Sequence, residues 1–321
     1  MFTNLNKTKE MIAEGKLLHI AADESLLSQL PKGNWIGGTT PYFISNEGGI
    51  KTKEKLFVTE LDMASHHKFC VYDTENVENV PSDAFSNGLT FLLMPFSAEV
   101  TAEYCKKAPS MDDLLMHPAV GWITGFDLDA GGCAKVFDGS TGTSYADKAV
   151  ALHIELPEGK LASIGIVNIF DEDNSNDIIE FPKDDLVIEK CRINGKDTLF
   201  SSYIMENGID TKLPLQANCN GSLLNISIKE ITHDGTVCLF APVFADEKYR
   251  FAKAVPNYAD AFGKKLAAQD NITPVFSCNC ILNYLYGELE GKSTPPYEGP
   301  VTFGEIAYQL LNQTLVYAGV L

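Results

Sequence analysis

Short apolar runs broken by Gly, Pro, Asn and Asp dominate the chain, and no single hydrophobic period extends through it. LLHIAA (17–22) reads as a buried strand, after which Asp23 caps a short helix, ESLLSQL, ended by Pro31, Lys32 and Gly33. NWIGGTTPYFI (34–44) reads as a strand interrupted at Gly37 and Gly38 and resumed by Tyr42, Phe43 and Ile44. Glycines inside a strand pattern mark a bulge or a close approach by another backbone or a ligand. KLFVTELD and HKFCVYD predict neighbouring strands, GLTFLLMPF a fully buried one, and SAEVTAEYCKKA a helix closed at Pro109. GWITGFDLD, AVALHIELP and LASIGIVNIF predict further strands, the last two separated by a hairpin-like Glu158-Gly159.

The second half repeats the alternation. Asn194-Gly195 is a strong hairpin signal between DLVIEKCRI and KDTLF, and His233, Asp234 and Gly235 form a second turn between LLNISIKEI and TVCLFAPVF. Pro256 opens a helix in which Tyr258, Phe262 and Leu266 share one face. TPVFSCN predicts a buried strand running into a short helix; a Pro-rich loop and two strands, VTFGEIA and TLVYAGVL, follow. Strands joined largely by hairpins, with few helices, predict an α+β fold of two mixed, mostly antiparallel sheet units. The acidic segment Asp171–Asp177 is the natural loop between them, which divides the chain into regions 1–180 and 181–321.

Charge narrows the partners. With 25 basic residues against 43 acidic ones the formal net charge is −18, and no basic run exists to hold a phosphate backbone, so nucleic acid is not an expected partner. No apolar stretch is long enough to span a membrane, and the N-terminus lacks the apolar core of a signal peptide. The eight cysteines lie mostly within apolar runs, the pattern of buried reduced thiols. The expected compartment is the cytoplasm.

From about Asn225 to Leu321 the chain resembles the C-terminal region of FIST sensory domains. The features come in order: a paired strand ending at VCLF, the Ala-rich helix AFGKKLAAQ, the strand PVFSC at Pro274–Cys278, Phe303–Glu305, and the strand opening at Asn312–Thr314. NWIGGTTPYFI is similar to the Gly-rich strand of the family's N-terminal region. The resemblance implies a protein of signal transduction that binds a small ligand such as an amino acid and passes its state to a separate signalling partner. Relatives carry a Gly-Arg pair after the strand cysteine, whereas Cys278 is followed by Asn279, Cys280 and Ile281. The guanidinium fork suited to a ligand carboxylate is therefore missing there.

The ligand site expected on these grounds gathers Trp35, Gly37, Gly38, Tyr42, Cys278, Asn279 and Glu305, with aromatic walls for area and polar groups for orientation. No cofactor is expected. Cys278 and Cys280 form a C-x-C without the second pair a zinc site needs. Asp171, Asp173, Ser175 and Asp177 alternate like the start of a calcium loop, but Asn176 replaces its glycine and Pro182 its bidentate glutamate. The stretch from Asp138 to Ser144 is rich in Gly and hydroxyls and reads as an anion cradle or a plain hairpin loop. His153 and Glu155 share a strand face, as a base with its orienting carboxylate or as part of a polar face. An acid-base or thiol enzyme, and an acidic scaffold for a basic partner protein, therefore stand as alternatives to the sensor.

Overall fold

The computed structural model describes residues 1–219, 222–269 and 273–321. Three six-stranded sheets form its body. The first has the order 2–3, 56–60, 18–22, 35–39, 136–138, 143–145; the second 309–311, 305–307, 119–124, 88–95, 149–155, 66–72; the third 162–168, 314–320, 276–280, 299–302, 42–45, 48–51. Most pairings are antiparallel, while Leu18–Ala22 with Trp35–Thr39, Gly88–Pro95 with Ala119–Thr124 and Phe276–Cys280 with Gly299–Thr302 are parallel. Each of these parallel pairs is joined across a helix, Glu24–Leu27 in the first case, Glu99–Lys107 in the second and Ile281–Tyr286 in the third, as parallel strands require. The fold is α+β.

The three sheets enclose one core, in which Ile36 and Phe57 of the first sheet meet Phe91 and Trp122 of the second and Phe43, Phe276 and Val316 of the third. Strands buried on both faces read as unbroken apolar runs rather than alternating ones, and all eight residues of GLTFLLMP are buried. A smaller core lies on the outer face of the first sheet, where Met11 and Ile12 of the helix Leu5–Ala13 cover Leu18, Ile20 and Trp35. Asn4 starts that helix by accepting the Lys7 N–H.

Residues 179–251 supply every strand of two further sheets, one of six strands and one of three. The chain then returns to the body. Phe276–Cys280 lies between Gly299–Thr302 and Thr314–Val320, Gly299 pairs with Ile44, and Glu305 pairs with Trp122. A division at residue 180 is therefore corrected: it would cut the second and third sheets, and the stretch 179–251, set into the chain between Ala162–Asn168 and Phe276–Cys280, forms its own sheets but shares a hydrophobic core with the body, where Ile44 and Leu92 join Phe181 and Tyr249. The Glu158-Gly159 junction is corrected too. It joins Ala149–Glu155 of the second sheet to Ala162–Asn168 of the third, so the two strands do not pair. Asn194-Gly195 does form a hairpin, with φ of 48° and 82° and Ile193 opposite Lys196.

Candidate functional site

Glu305 sits at 0% exposure where the second sheet meets the third. Its Oε1 accepts the Thr302 hydroxyl at 2.9 Å, and its Oε2 accepts the Thr314 hydroxyl at 2.8 Å and the Thr314 N–H at 3.3 Å. The Cys280 thiol also donates to it. Burial outweighs these donors and pushes the carboxyl up to about 8, so it holds its proton through neutral pH, and in that form Oε1–H donates to the Thr302 oxygen while the Thr302 hydroxyl turns to the Asn279 carbonyl at 3.2 Å. Burial, reinforced by the Glu305 carboxylate, raises the Cys278 and Cys280 thiols well above their ordinary value. Both are consequently poor nucleophiles.

The polar network continues outward from there. Asn283 donates to Asn279 Oδ1 at 2.9 Å and accepts the Tyr258 hydroxyl at 2.5 Å. Gln313, held at φ 52°, donates to the Tyr258 oxygen at 3.3 Å and accepts Ser227 at 2.7 Å. Asn225 bonds both Asn168 and the Asn312 carbonyl. These bonds tie the 179–251 unit to the body. Buried polar side chains fix a unique packing when they are satisfied, and most of this cluster is, although Asn279 Nδ2 and Asn312 Oδ1 are buried without a hydrogen-bond partner among the described residues.

The residues expected to form one pocket are dispersed. Cys278, Asn279 and Glu305 lie near one end of Phe276–Cys280, with the Cys278 thiol donating to the Gly121 carbonyl at 3.4 Å. Trp35 lies on the other face of the first sheet, donating to the Pro31 carbonyl at 2.9 Å and stacking on Phe137. Tyr42 accepts the Leu128 N–H at 3.1 Å and packs against Tyr284. The space before Gly37 and Gly38 is filled by the protein itself. A Cβ on Gly38 would lie 2.5 Å from Thr124 and 2.6 Å from Trp122, and one on Gly37 would lie 3.1 Å from Leu27 and Trp35. These glycines admit indole rings.

Two buried histidines are structural. Trp122 Nε1 donates at 2.9 Å to His19 Nε2, and burial pushes His19 down to about 3. His153 is separated from Glu155: Glu155 pairs with the exposed His66 at 2.7 Å, while His153 is wholly buried. Tyr72 donates to Asp83 at 2.9 Å. With that proton placed, His153 Nε2–H donates to the Tyr72 oxygen and Nδ1 accepts the Thr90 hydroxyl, at 2.9 and 2.8 Å. Burial lowers His153 to about 4, and this satisfied chain keeps it neutral. The Asp138 loop is a hairpin whose Ser140 and Thr141 hydroxyls both turn back to the Asp138 carboxylate. In the acidic loop, Asp173 bonds Ser175 while Asp177 accepts Asn194 and Tyr203, so their carboxylates serve different partners.

Solvent-accessible polar chemistry lies elsewhere. A cleft of about 410 Å³ opens beyond the carboxyl ends of the parallel strands Leu18–Ala22 and Trp35–Thr39, lined among others by Asp23, Ser25, Thr40, Lys53, Asp127 and Cys133. Thr39 ties the first sheet to the second beneath it, donating to the Gly125 carbonyl at 2.8 Å and accepting the Lys135 N–H at 2.9 Å. Asp127, 7% exposed, receives Lys51 at 2.5 Å and Lys53 at 3.0 Å. It also caps the turn through the Asp129 and Ala130 N–H groups. The Lys51 bond foremost, then the others, hold Asp127 well below the usual carboxylate range against the cost of burial. Across the cleft Lys135 pairs with Glu24 at 2.5 Å. Lys53 remains about half exposed and the Cys133 thiol is exposed. Nothing in the sequence marked this site, because its residues converge from four separated segments.

Fold and site thus define an α+β protein with a charged cleft at the ends of a parallel strand pair, and no helix among the described residues is long and apolar enough to cross a membrane. The chain belongs to a family of unknown function, DUF6976, whose model matches residues 3–320. No curated protein and no solved structure matches it.

Proposed function

We propose that the protein binds a small zwitterionic molecule of amino-acid type in the cleft between Lys53 and Glu24. The observation that carries this reading is that one cleft is lined by groups of both signs: the half-exposed Lys53, ion-paired to Asp127 at 3.0 Å, suits a carboxylate, and Glu24 and Asp23 suit an amine. Its position beyond the carboxyl ends of parallel strands is where open α/β sheets place ligands. Lys53 takes the role left vacant by the arginine missing after Cys278. In this reading the protein is a cytoplasmic sensor, similar to FIST proteins in role, that reports ligand occupancy to a separate signalling protein.

A thermal-shift screen of free amino acids tests it. A ligand bound only by the native state adds about 2.7 kcal/mol at a hundredfold excess over its Kd. At least one amino acid is expected to stabilise the wild type, and Lys53→Met to lose the response while melting normally without ligand. A screen with no stabiliser, or an undiminished response in Lys53→Met, refutes the reading. A thiol enzyme is the second reading, favoured by the exposed Cys133 on the cleft rim. Turnover abolished by Cys133→Ser would establish it.

A further inference from the structure

The strand Ala162–Asn168 is an outer strand of the third sheet, paired among the described residues only with Thr314–Val320. Leu161 and Leu321 exchange both backbone hydrogen bonds, at 3.3 and 2.9 Å. Bonded and non-bonded positions alternate along an antiparallel ladder. Ser163, Gly165 and Val167 therefore bond the neighbouring strand, and Ala162, Ile164 and Ile166 turn their N–H and C=O groups outward. Proteins blunt such edges with charges, prolines, bulges or short strands. Five other edge strands show these devices. His66–Tyr72 carries two histidines and a lysine, Gly48–Lys51 ends in a lysine, Lys196–Leu199 has a lysine and an aspartate, and Asp185–Ile188 and Ile228–Ile231 are bulged. Ala162–Asn168 has seven residues, regular pairing and no charge. Leu161, Ile166 and Leu321 beside it are 63%, 43% and 61% exposed.

We infer that this edge is the interface of a homodimer, in which the strand pairs antiparallel with the same strand of a second copy. An open strand edge is self-complementary under a two-fold axis. With Ile164 opposite Ile164 of the second copy, Ala162 faces Ile166, and every outward N–H and C=O of these three residues finds a partner, about six hydrogen bonds in all. Ser163 then faces Gly165 of the second copy. Small residues suit that position because the Tyr317 ring already lies across Gly165, 2.0 Å from where a Cβ would stand. A second copy is the occupant that the charge pattern selects. A partner recognised by charge would need complementary groups, and this strand offers none. Two chains of net charge −18 can approach here because the contact strip itself is neutral.

Sedimentation velocity across a concentration series tests the interface. The wild type is expected to approach twice the 35.1 kDa chain mass. Ile166→Lys places a charge on the strip, and Ile166→Pro removes one outward N–H without touching the native ladder. Both are expected to sediment as single chains with unchanged circular dichroism. Added salt is expected to strengthen the wild-type dimer by screening the repulsion between acidic copies. Hydrogen exchange at Ile164 is expected to be slow in the dimer and fast in Ile166→Lys. A wild type that stays monomeric throughout, or variants that retain the dimer mass, would overturn the interface.

Discussion

Glu305 and Asp127 are carboxylates with little exposed surface, one deep in the body and the other close to its surface, and their environments drive them in opposite directions. Glu305 has hydroxyl, thiol and amide donors but no cation, and burial raises it to about 8. Asp127 has two lysines, one of them half exposed, and is held far below the usual range. The first group is sealed among strands that it joins, and the second stands at the mouth of a cleft. Charge reachable from solvent is what a ligand can use, whereas a neutral buried carboxyl serves packing. The difference gives one end of Phe276–Cys280 a structural role and makes the cleft the proposed binding site.

The largest expected effect comes from breaking the sealed side. Glu305→Ala strands the Thr302, Thr314 and Cys280 donors and opens a void, so destabilisation of about 3 kcal/mol is expected in urea unfolding. Gly38→Val comes next. Its branched side chain meets Trp122 and Thr124, and a loss of about 2 kcal/mol is expected from overpacking, whether or not ligand is present. A pH titration sharpens the contrast further. Glu305 is raised from 4.5 to about 8, so its folded form holds the proton more tightly, and the stability it contributes below 4.5 is lost as pH rises towards 8. His153 is lowered from 6.5 to about 4, so its contribution is complete above 6.5 and is lost as pH falls through 4. Between pH 6.5 and 8 the buried Met1 ammonium, lowered from 8.0 to about 6, titrates in the opposite sense, so the Glu305 contribution is read as the stability difference between wild type and Glu305→Gln, which is expected to fall by about 2 kcal/mol across that window. Smallest is Lys53→Met, which should alter stability without ligand by less than about 1 kcal/mol because its ion pair is half exposed.

Much of this fold is legible from local pattern. Buried strands such as GLTFLLMPF and TLVYAGVL are apolar throughout, and Asn194-Gly195 supplies the left-handed pair its turn requires. Long-range order is not legible in that way. Nothing local shows that Phe276–Cys280 enters a sheet begun by Tyr42–Ser45, so reading neighbours in sequence as neighbours in space placed a boundary at 180 and a hairpin at Glu158-Gly159. Of the seven expected site residues, Cys278, Asn279 and Glu305 do lie close together. Trp35, Gly37 and Gly38 show why a Gly-rich aromatic strand is ambiguous: a glycine that admits a ligand and one that admits an indole are written alike. Lys53 carries no spacing to Asp127 and Cys133 that could be read, because a separate loop brings it to theirs.

Native thiol labelling followed by mass spectrometry tests the contrast between sealed and open sites most directly. The account predicts that Cys133 is modified first, that Cys278 and Cys280 react only on unfolding, and that a stabilising amino acid slows modification of Cys133. Labelling of Cys278 or Cys280 in the native protein as fast as Cys133, or a Cys133 rate indifferent to saturating ligand, would contradict it.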